Sequence, residues 1–319
     1  MSQEGALIRL DGRMRNPEAN VSDVFTELRP LLFSIAYRML GSATEAEDIV
    51  QEAYLRAHRE GAGEATIESP KSYYSAIVTR LSIDHLRSAR VRRESYVGTW
   101  LPEPLLTDAE PDAAQRAEIA DSLSMGFLVL LESLTPVERA VFLLREVFDY
   151  GYDEIASIVG KHEDNCRQIA VRAKRQVQAG KPRFEASKAR RDELARRFFE
   201  AAAEGNVENL IGLLAADVVA YADGGGKAIA FPKPVYGREK VARVLMGRTA
   251  GGERLGVTGI RLAEINGQPG AMFLNADGAP VAVVALDIAD ELVQTVHAVS
   301  NPEKLRHLRP RDRDTADDS

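Results

Sequence analysis

The sequence predicts a multidomain chain: two all-α units, then an α+β domain whose strands form an antiparallel meander. Three observations predict it. Apolar residues recur at three- and four-residue spacing from Val21 to about Ala179, the signature of amphipathic helices. The stretch YVGTWLPEPLLTDAEPDA, which carries Pro102, Pro104 and Pro111, interrupts that pattern with no period of its own. Beyond AGKPR, short β-rich runs between Gly, Asn-Gly and Asp-Gly turns replace the helical period.

The elements follow in order. Residues 1–20 read as a leader. The first helical unit, 21–95, opens on Val24, Phe25, Leu28, Leu31, Leu32, Ile35, Ala36, Met39 and Leu40. Gly41 stops that helix, and Ser42 or Thr44 caps the next, ATEAEDIVQEAYLRAHRE. Pro70 closes the polar loop GAGEATIESP, and Lys71–Arg93 reads as a long helix with Tyr73, Tyr74, Ile77, Val78, Leu81 and Leu86 inward. Residues 96–113 are expected to be a solvated linker, because acids outnumber bases from Glu103 to Asp121, with Arg116 alone opposing them. The second helical unit, 114–179, places Pro136 in a first turn. Residues 180–186 form a hinge. In 187–308 the helices ARRDELARRFFEAAAEG and NVENLIGLLA precede the runs VVAYA, AIAFPKPVY, GVTGIRLAEI, GAMFLNA, PVAVVALDIA and ELVQTVHAV, interrupted by the helix REKVARVLMG. Helices first and strands last make an α+β domain, and residues 309–319 are a terminal tail.

Composition removes several function classes. One cysteine, Cys166, excludes a disulfide framework and a multi-cysteine metal centre. No paired carboxylates or metal-ligand spacing accompany the candidate pocket groups of the C-terminal domain, and no metal and no cofactor are expected. The longest apolar stretches fall short of the roughly 18 residues of a membrane helix, and no export signal is visible in MSQEGALIRLDGRMRNPEA. A cytoplasmic, membrane-free protein is expected. The net charge of −7 splits as 22 Lys+Arg against 28 Asp+Glu up to Pro182 and 19 against 20 after it. The bases cluster all the same: Arg80, Arg87, Arg90, Arg92 and Arg93 face one acid, Asp84, and RQIAVRAKR contains no acid. Local stripes, not totals, set phosphate binding.

Two segments carry candidate binding chemistry. In DEIASIVGKHEDNCRQIAVR, Ala156 permits close helix approach and Gly160 supplies a turn. Ile155, Val159, Cys166 and Ile169 face inward, as a helix-turn-helix requires. Asp164, Arg167, Gln168, Arg172 and Arg175 then point outward, where Arg and Gln can read base edges and Arg172 and Arg175 suit phosphates. A helical hairpin with a solvated basic face fits this segment equally well. On the second helix Asp48, Gln51, Glu52, Leu55 and Arg59 form a polar stripe, which suits a basic partner helix or solvent.

The joint pattern separates these alternatives. AEDIVQEAYLRAH, then PKSYYSAIVTRLSIDHLRSARVRR, then LTPVERAVFLLREVFDYGYDEIASIVG resembles bacterial RNA polymerase sigma factors of the extracytoplasmic-function (ECF) class, over roughly Val21 to Ala179. WLPEPL (Trp100–Leu105), DGGGK (Asp223–Lys227) and NPEKL (Asn301–Leu305) resemble the subgroup with a SnoaL-like C-terminal domain, which implies an α+β cone with a curved mixed or antiparallel sheet. The resemblance implies core polymerase as partner, through the β′ clamp helices and β flap, with Asp48, Gln51, Glu52 and Leu55 on the docking stripe. It implies promoter DNA as the second partner. Gly61–Ser72 would capture a flipped base of the −10 element, with Arg80, Asp84, Arg87 and Arg90 beside it. The helix-turn-helix would read the −35 element, and the acidic linker would thread toward the polymerase cleft. Leu81 stands where many members carry Asn, a departure from the family pattern.

The resemblance also implies that the C-terminal domain regulates in cis through Trp100, Asp223, Gly224, Gly225, Gly226, Lys227, Asn301, Pro302, Lys304 and Leu305. Tyr221, Asp223, Lys227 and His297 are candidate groups for a pocket that a small ligand could enter, and none is expected to be catalytic. Two other functions stay open at this point. One is a polymerase-independent helix-turn-helix regulator with a ligand-binding tail; the other is a ketosteroid-isomerase-like enzyme fused to DNA-binding units.

Overall fold

The computed structural model describes residues 17–59, 69–94, 96–107, 122–179, 187–249 and 256–309. The leader, most of the Gly61–Ser72 loop, the acidic stretch 108–121, the hinge and the terminal tail lie outside the described residues.

The first unit is a three-helix arrangement: α1 (Pro17–Leu40), α2 (Ala43–Arg59) and α3 (Pro70–Glu94). α1 begins ahead of Val21, with Pro17 in its first position. Gly41 adopts a positive φ of 68° and ends α1; the Ser42 hydroxyl then accepts from the Glu45 N–H at 3.1 Å to start α2. Leu32, Ile35, Ala46, Val50, Ala53, Tyr74 and Val78 form its buried core.

In the second unit Ser124 caps the short α4 (Met125–Leu131). Thr135 and Glu138 form a capping box on α5 (Pro136–Glu146). The helix-turn-helix follows as α6 (Tyr152–Val159) and α7 (Glu163–Gln178). Gly160 makes the left-handed turn at φ 65°. Ile155, Ile158, Cys166, Ile169 and Ala170 are buried together, and burial raises the Cys166 thiol above its usual range, consistent with a core residue. Val159 is half-buried, and Ile158 takes the inner place beside Ile155.

The C-terminal domain contains α8 (Lys188–Glu204), α9 (Val207–Leu213), β1 (Leu214–Asp223), β2 (Val235–Tyr236), α10 (Arg238–Thr249), β3 (Gly259–Ile265), β4 (Gln268–Leu274), β5 (Pro280–Ala289) and β6 (Leu292–Val299). Its six-stranded sheet runs β2-β1-β6-β5-β4-β3. The sheet is mixed: β3 to β6 form an antiparallel meander, whereas β1 lies parallel to β6. Of the expected strand AIAFPKPVY only Val235–Tyr236 pairs, because Pro232 and Pro234 lack a donor for the ladder. One face of the sheet packs on α8, α9 and α10 through Phe198, Leu210, Val241 and Val296. A second apolar cluster joins Met272, Val283 and Val299 to Leu101 of the linker and Met125 of α4.

The linker corrects the sequence expectation. Leu101, Pro102, Glu103 and Pro104 are buried, not solvated. Glu103 is buried because its carboxylate has a fixed use: it accepts from the Ser42 hydroxyl at 2.9 Å and from the Thr44 N–H at 3.0 Å, at the N-terminus of α2. An anion there satisfies otherwise orphaned donors.

Candidate nucleic-acid interface and interdomain site

On α2 the predicted stripe is exposed as expected for an amphipathic helix. Asp48, Gln51 and Leu55 face solvent, and Glu52 is half-buried beside Arg56 at 2.9 Å and Arg59 at 3.6 Å. Leu55 is 41% exposed on this polar face.

On α3, Asp84 pairs with Arg87 at 3.1 Å, both exposed, and the Arg90 side chain lies outside the described residues. Arg80 is drawn into an interdomain contact instead. Its guanidinium donates to the carbonyls of Ile158 at 2.9 Å and Ser157 at 2.8 Å, which belong to the last turn of α6 and need a donor. Ser72 donates to Glu154 at 2.6 Å, and Ser75 and Tyr150 share a hydrogen bond at 2.7 Å. The α3 face therefore rests on the first helix of the helix-turn-helix.

On α7, Asp164, Gln168 and Arg175 are exposed. Arg167 pairs with Glu163, lies 3.4 Å from Asp164, and stacks its guanidinium over Tyr152 at 5.1 Å. Arg172 lies 3.3 Å from Glu138.

The three motifs of linker and tail converge on one carboxylate. Asp223 is fully buried at the end of β1. Its Oδ1 accepts from the Tyr96 hydroxyl at 2.6 Å and the Gly225 N–H at 3.0 Å; its Oδ2 accepts from the Leu101 N–H at 2.8 Å and Lys304 Nζ at 2.7 Å. Its carbonyl accepts from the Ser300 and Asn301 N–H groups. Lys304 Nζ also donates to the Leu101 carbonyl, and it sits 5.0 Å from the Tyr96 ring centroid and 4.3 Å from that of Trp100. An ammonium held by a carboxylate and two aromatic faces is well compensated for its burial. Gly225 has φ 58°, and a Cβ there would come within 2.2 Å of Asn301 Nδ2, so this loop tolerates no side chain at that turn. Gly224 is buried, Gly226 is exposed, Lys227 pairs with Glu303 at 2.5 Å, Pro302 is exposed and Leu305 is buried among Leu101 and Met125.

The candidate pocket groups separate. Asp223 and Lys227 belong to the linker site. Tyr221 stacks on His297 with ring centroids 5.6 Å apart, and His297 Nε2 lies 2.9 Å from Asp287, a residue sequence reasoning did not single out. Asp287 and His297 stand diagonally on β5 and β6, since Ala285 is the register partner of His297. Both are buried, and Asp287 Oδ1 and His297 Nδ1 have no hydrogen-bond partner. Gly126 of α4 covers the pair so closely that a Cβ there would meet Asp287 Oδ2 at 2.5 Å. Among the described residues no group of three or more His, Cys, Asp or Glu could hold a metal ion, and no helix is long and apolar enough to cross a membrane.

A second residue missed from sequence is Asn266, fully buried at the β3–β4 turn. It bonds to Tyr37 of α1, to Leu105 of the linker and to Leu123 before α4. Its only sequence signal is an Asn-Gly turn.

Comparison with known proteins agrees with this architecture. The Sigma-70 region 2 family matches residues 24–92 and the Sigma-70, region 4 family matches residues 124–177. The ECF RNA polymerase sigma factor SigJ of Mycobacterium tuberculosis is 34% identical over 292 residues, covering 88% of this chain and 92% of its own. The probable ECF RNA polymerase sigma factor SigI of that organism is 29% identical, covering 91% and 96%. The crystal structure of SigJ matches with a TM-score of 0.70 at 33% identity, over 89% of this chain and 97% of its own. With both helical units and the mixed-sheet domain accounted for, the chain belongs to the ECF RNA polymerase sigma factors, a family of transcription initiation factors.

Proposed function

We propose that the chain docks on core RNA polymerase through Asp48, Gln51, Glu52 and Leu55 of α2. In this reading α3 serves the −10 element, α7 reads the −35 element, and the C-terminal domain controls the outcome in cis by gripping the linker. The observation that carries the control is the Asp223 carboxylate, which ties Tyr96 and Leu101 of the linker to Lys304 of the C-terminal domain. Whatever the polymerase does to the linker is thereby coupled to a buried charged pair, and coupling of this kind is reciprocal. DNA affinity of an isolated chain of net charge −7 is expected to be weak and salt-sensitive, which makes promoter recognition conditional on polymerase. The same reading places the protein in the cytoplasm and assigns no catalysis to the tail. A small ligand at Tyr221, Asp287 and His297 would have to displace Gly126 of α4, so it would act on the same equilibrium.

Run-off transcription tests this, with bacterial core polymerase, DNA from upstream of the protein's own gene, and the full chain beside its Asp223→Asn and Lys304→Met variants. A discrete transcript that requires the chain, with a yield altered in both variants, supports the reading. Asp48→Ala with Gln51→Ala is expected to weaken polymerase binding with circular dichroism unchanged. No transcript together with no polymerase binding would overturn it.

A further inference from the structure

The inference rests on the region 4 reading and concerns how α7 discriminates bases. A helix turns about 100° per residue, and the buried residues Cys166, Ile169, Ala170, Ala173 and Val177 define the inward side of α7. Opposite them, at spacings of four, three and four, stand Asp164, Gln168, Val171 and Arg175. Arg167 and Arg172 lie to either side of this stripe and are engaged within their own unit, by Glu163, Asp164 and Tyr152 on one flank and Glu138 on the other. Lys174 likewise pairs with Glu146 at 2.6 Å. Arg167, the arginine that looks like a base reader in the sequence, and Arg172, which suits a phosphate, thus already pair with carboxylates, while Gln168 and Arg175 are exposed with no side-chain partner among the described residues.

Val171 is the anomaly on that stripe. It is 49% exposed, β-branched in a helix that gains nothing from β-branching, and flanked along its face by an amide and a guanidinium. A lone isopropyl group among polar neighbours is too small an apolar area for a protein interface, whose core needs a cluster of apolar residues. It matches the one apolar group on a major-groove base edge, the 5-methyl of thymine. Gln168, one turn earlier, is suited to the N6 and N7 edge of adenine, and Asp164 to the amino group of cytosine. Arg175, one turn later, supplies the positive charge that a phosphate requires.

We infer that Val171 is a specificity-determining residue of the −35 interface, reading the methyl group of a thymine. It lies outside the polar set that the sequence nominates.

The test uses the full chain assembled with core polymerase. A promoter library randomised in its upstream element is transcribed to select the preferred site, and each thymine of that site is then replaced by deoxyuridine, which removes only the methyl group. One replacement is expected to weaken promoter binding about fourfold, equivalent to the ~0.8 kcal/mol of one buried methyl-sized group. Val171→Ala, an exposed substitution that leaves the helix-turn-helix core intact, is expected to bind thymine and deoxyuridine DNA equally. Arg175→Ala is expected to weaken both equally and retain the preference. A wild-type chain indifferent to every deoxyuridine, or a Val171→Ala variant that still discriminates, overturns the inference. Absence of any chain-dependent transcript from the library overturns the region 4 reading beneath it as well.

Discussion

The side-chain amide of Asn266 donates to the hydroxyl of Tyr37 at 2.7 Å, joining residues 229 positions apart. The same nitrogen donates to the Leu123 carbonyl at 3.0 Å, and Oδ1 accepts from the Leu105 N–H at 2.9 Å. The Tyr37 hydroxyl donates in turn to the Glu103 carbonyl at 2.6 Å. One side chain therefore touches the first helix of region 2, the linker at Leu105 and the approach to region 4, and through Tyr37 it is connected to the linker again at Glu103. Its backbone φ of 52° is one that Asn tolerates better than most residues.

Asn266→Gly keeps that backbone accessible and removes all three side-chain bonds. Leaving the half-buried Leu105 N–H and the buried Leu123 carbonyl without their partner is expected to cost about 2 kcal/mol in urea unfolding. Tyr37→Phe is expected to cost less, and the double variant to show a coupling of about 1 kcal/mol. Strict additivity would show that the two groups act independently.

Gly126 is held in place by what lies above it. Ala is ordinarily the better helix residue by about 1 kcal/mol, yet a methyl group here would meet Asp287 Oδ2 at 2.5 Å. Gly126→Ala is therefore expected to lower the melting temperature and speed amide exchange in α4. Gly247→Ala, in α10 with open space around the added carbon, is the matched control and is expected to raise the melting temperature.

Lys304→Met is expected to leave Asp223 as a buried, under-compensated charge and release the linker from the tail. Trp100 is the chain's one tryptophan and lies against Lys304. Acrylamide quenching of its fluorescence should rise markedly in this variant. Lys304→Arg is expected not to restore protection, because the compact ammonium fits between two rings and a carboxylate where a planar fork does not. Quenching equal to wild type in Lys304→Met would separate Trp100 from the linker grip.

Alkali is expected to open the same site. Burial and the hydrogen bond to Asp223 raise the Tyr96 hydroxyl well above the usual tyrosine range. A group whose folded value is raised contributes its full stability below the unfolded value near 10 and loses it as pH rises from there toward the folded value. Trp100 emission should therefore change above pH ~10 in the wild type. Tyr96→Phe should lack that component, and an identical titration in both would place the transition elsewhere.

The helices were legible because their cause is local. The spacing of Leu32, Ile35 and Ala36, the cap at Ser42 and the turn at Gly160 lie within a few residues of what they determine. The helix-turn-helix core of Ile155, Cys166 and Ile169 was legible for the same reason, as were the tail's strands, apart from the proline-bearing one. The parallel pairing of β1 with β6 was not, because it joins residues nearly eighty positions apart, such as Tyr221 and His297, with nothing local to mark it. Nor was the burial of residues 101–104: their acidic, proline-rich composition argues for solvent, and only the orphan donors at the start of α2 give Glu103 a reason to be inside. The sequence nominated Asp223 beside His297, but strand register decided otherwise, setting Asp287 against His297 and turning Asp223 toward the linker. Asn266 read as an ordinary turn residue. It became the meeting point of three segments because folding brought Tyr37, Leu105 and Leu123 to it, and a buried amide must satisfy its hydrogen bonds with whatever tertiary packing supplies.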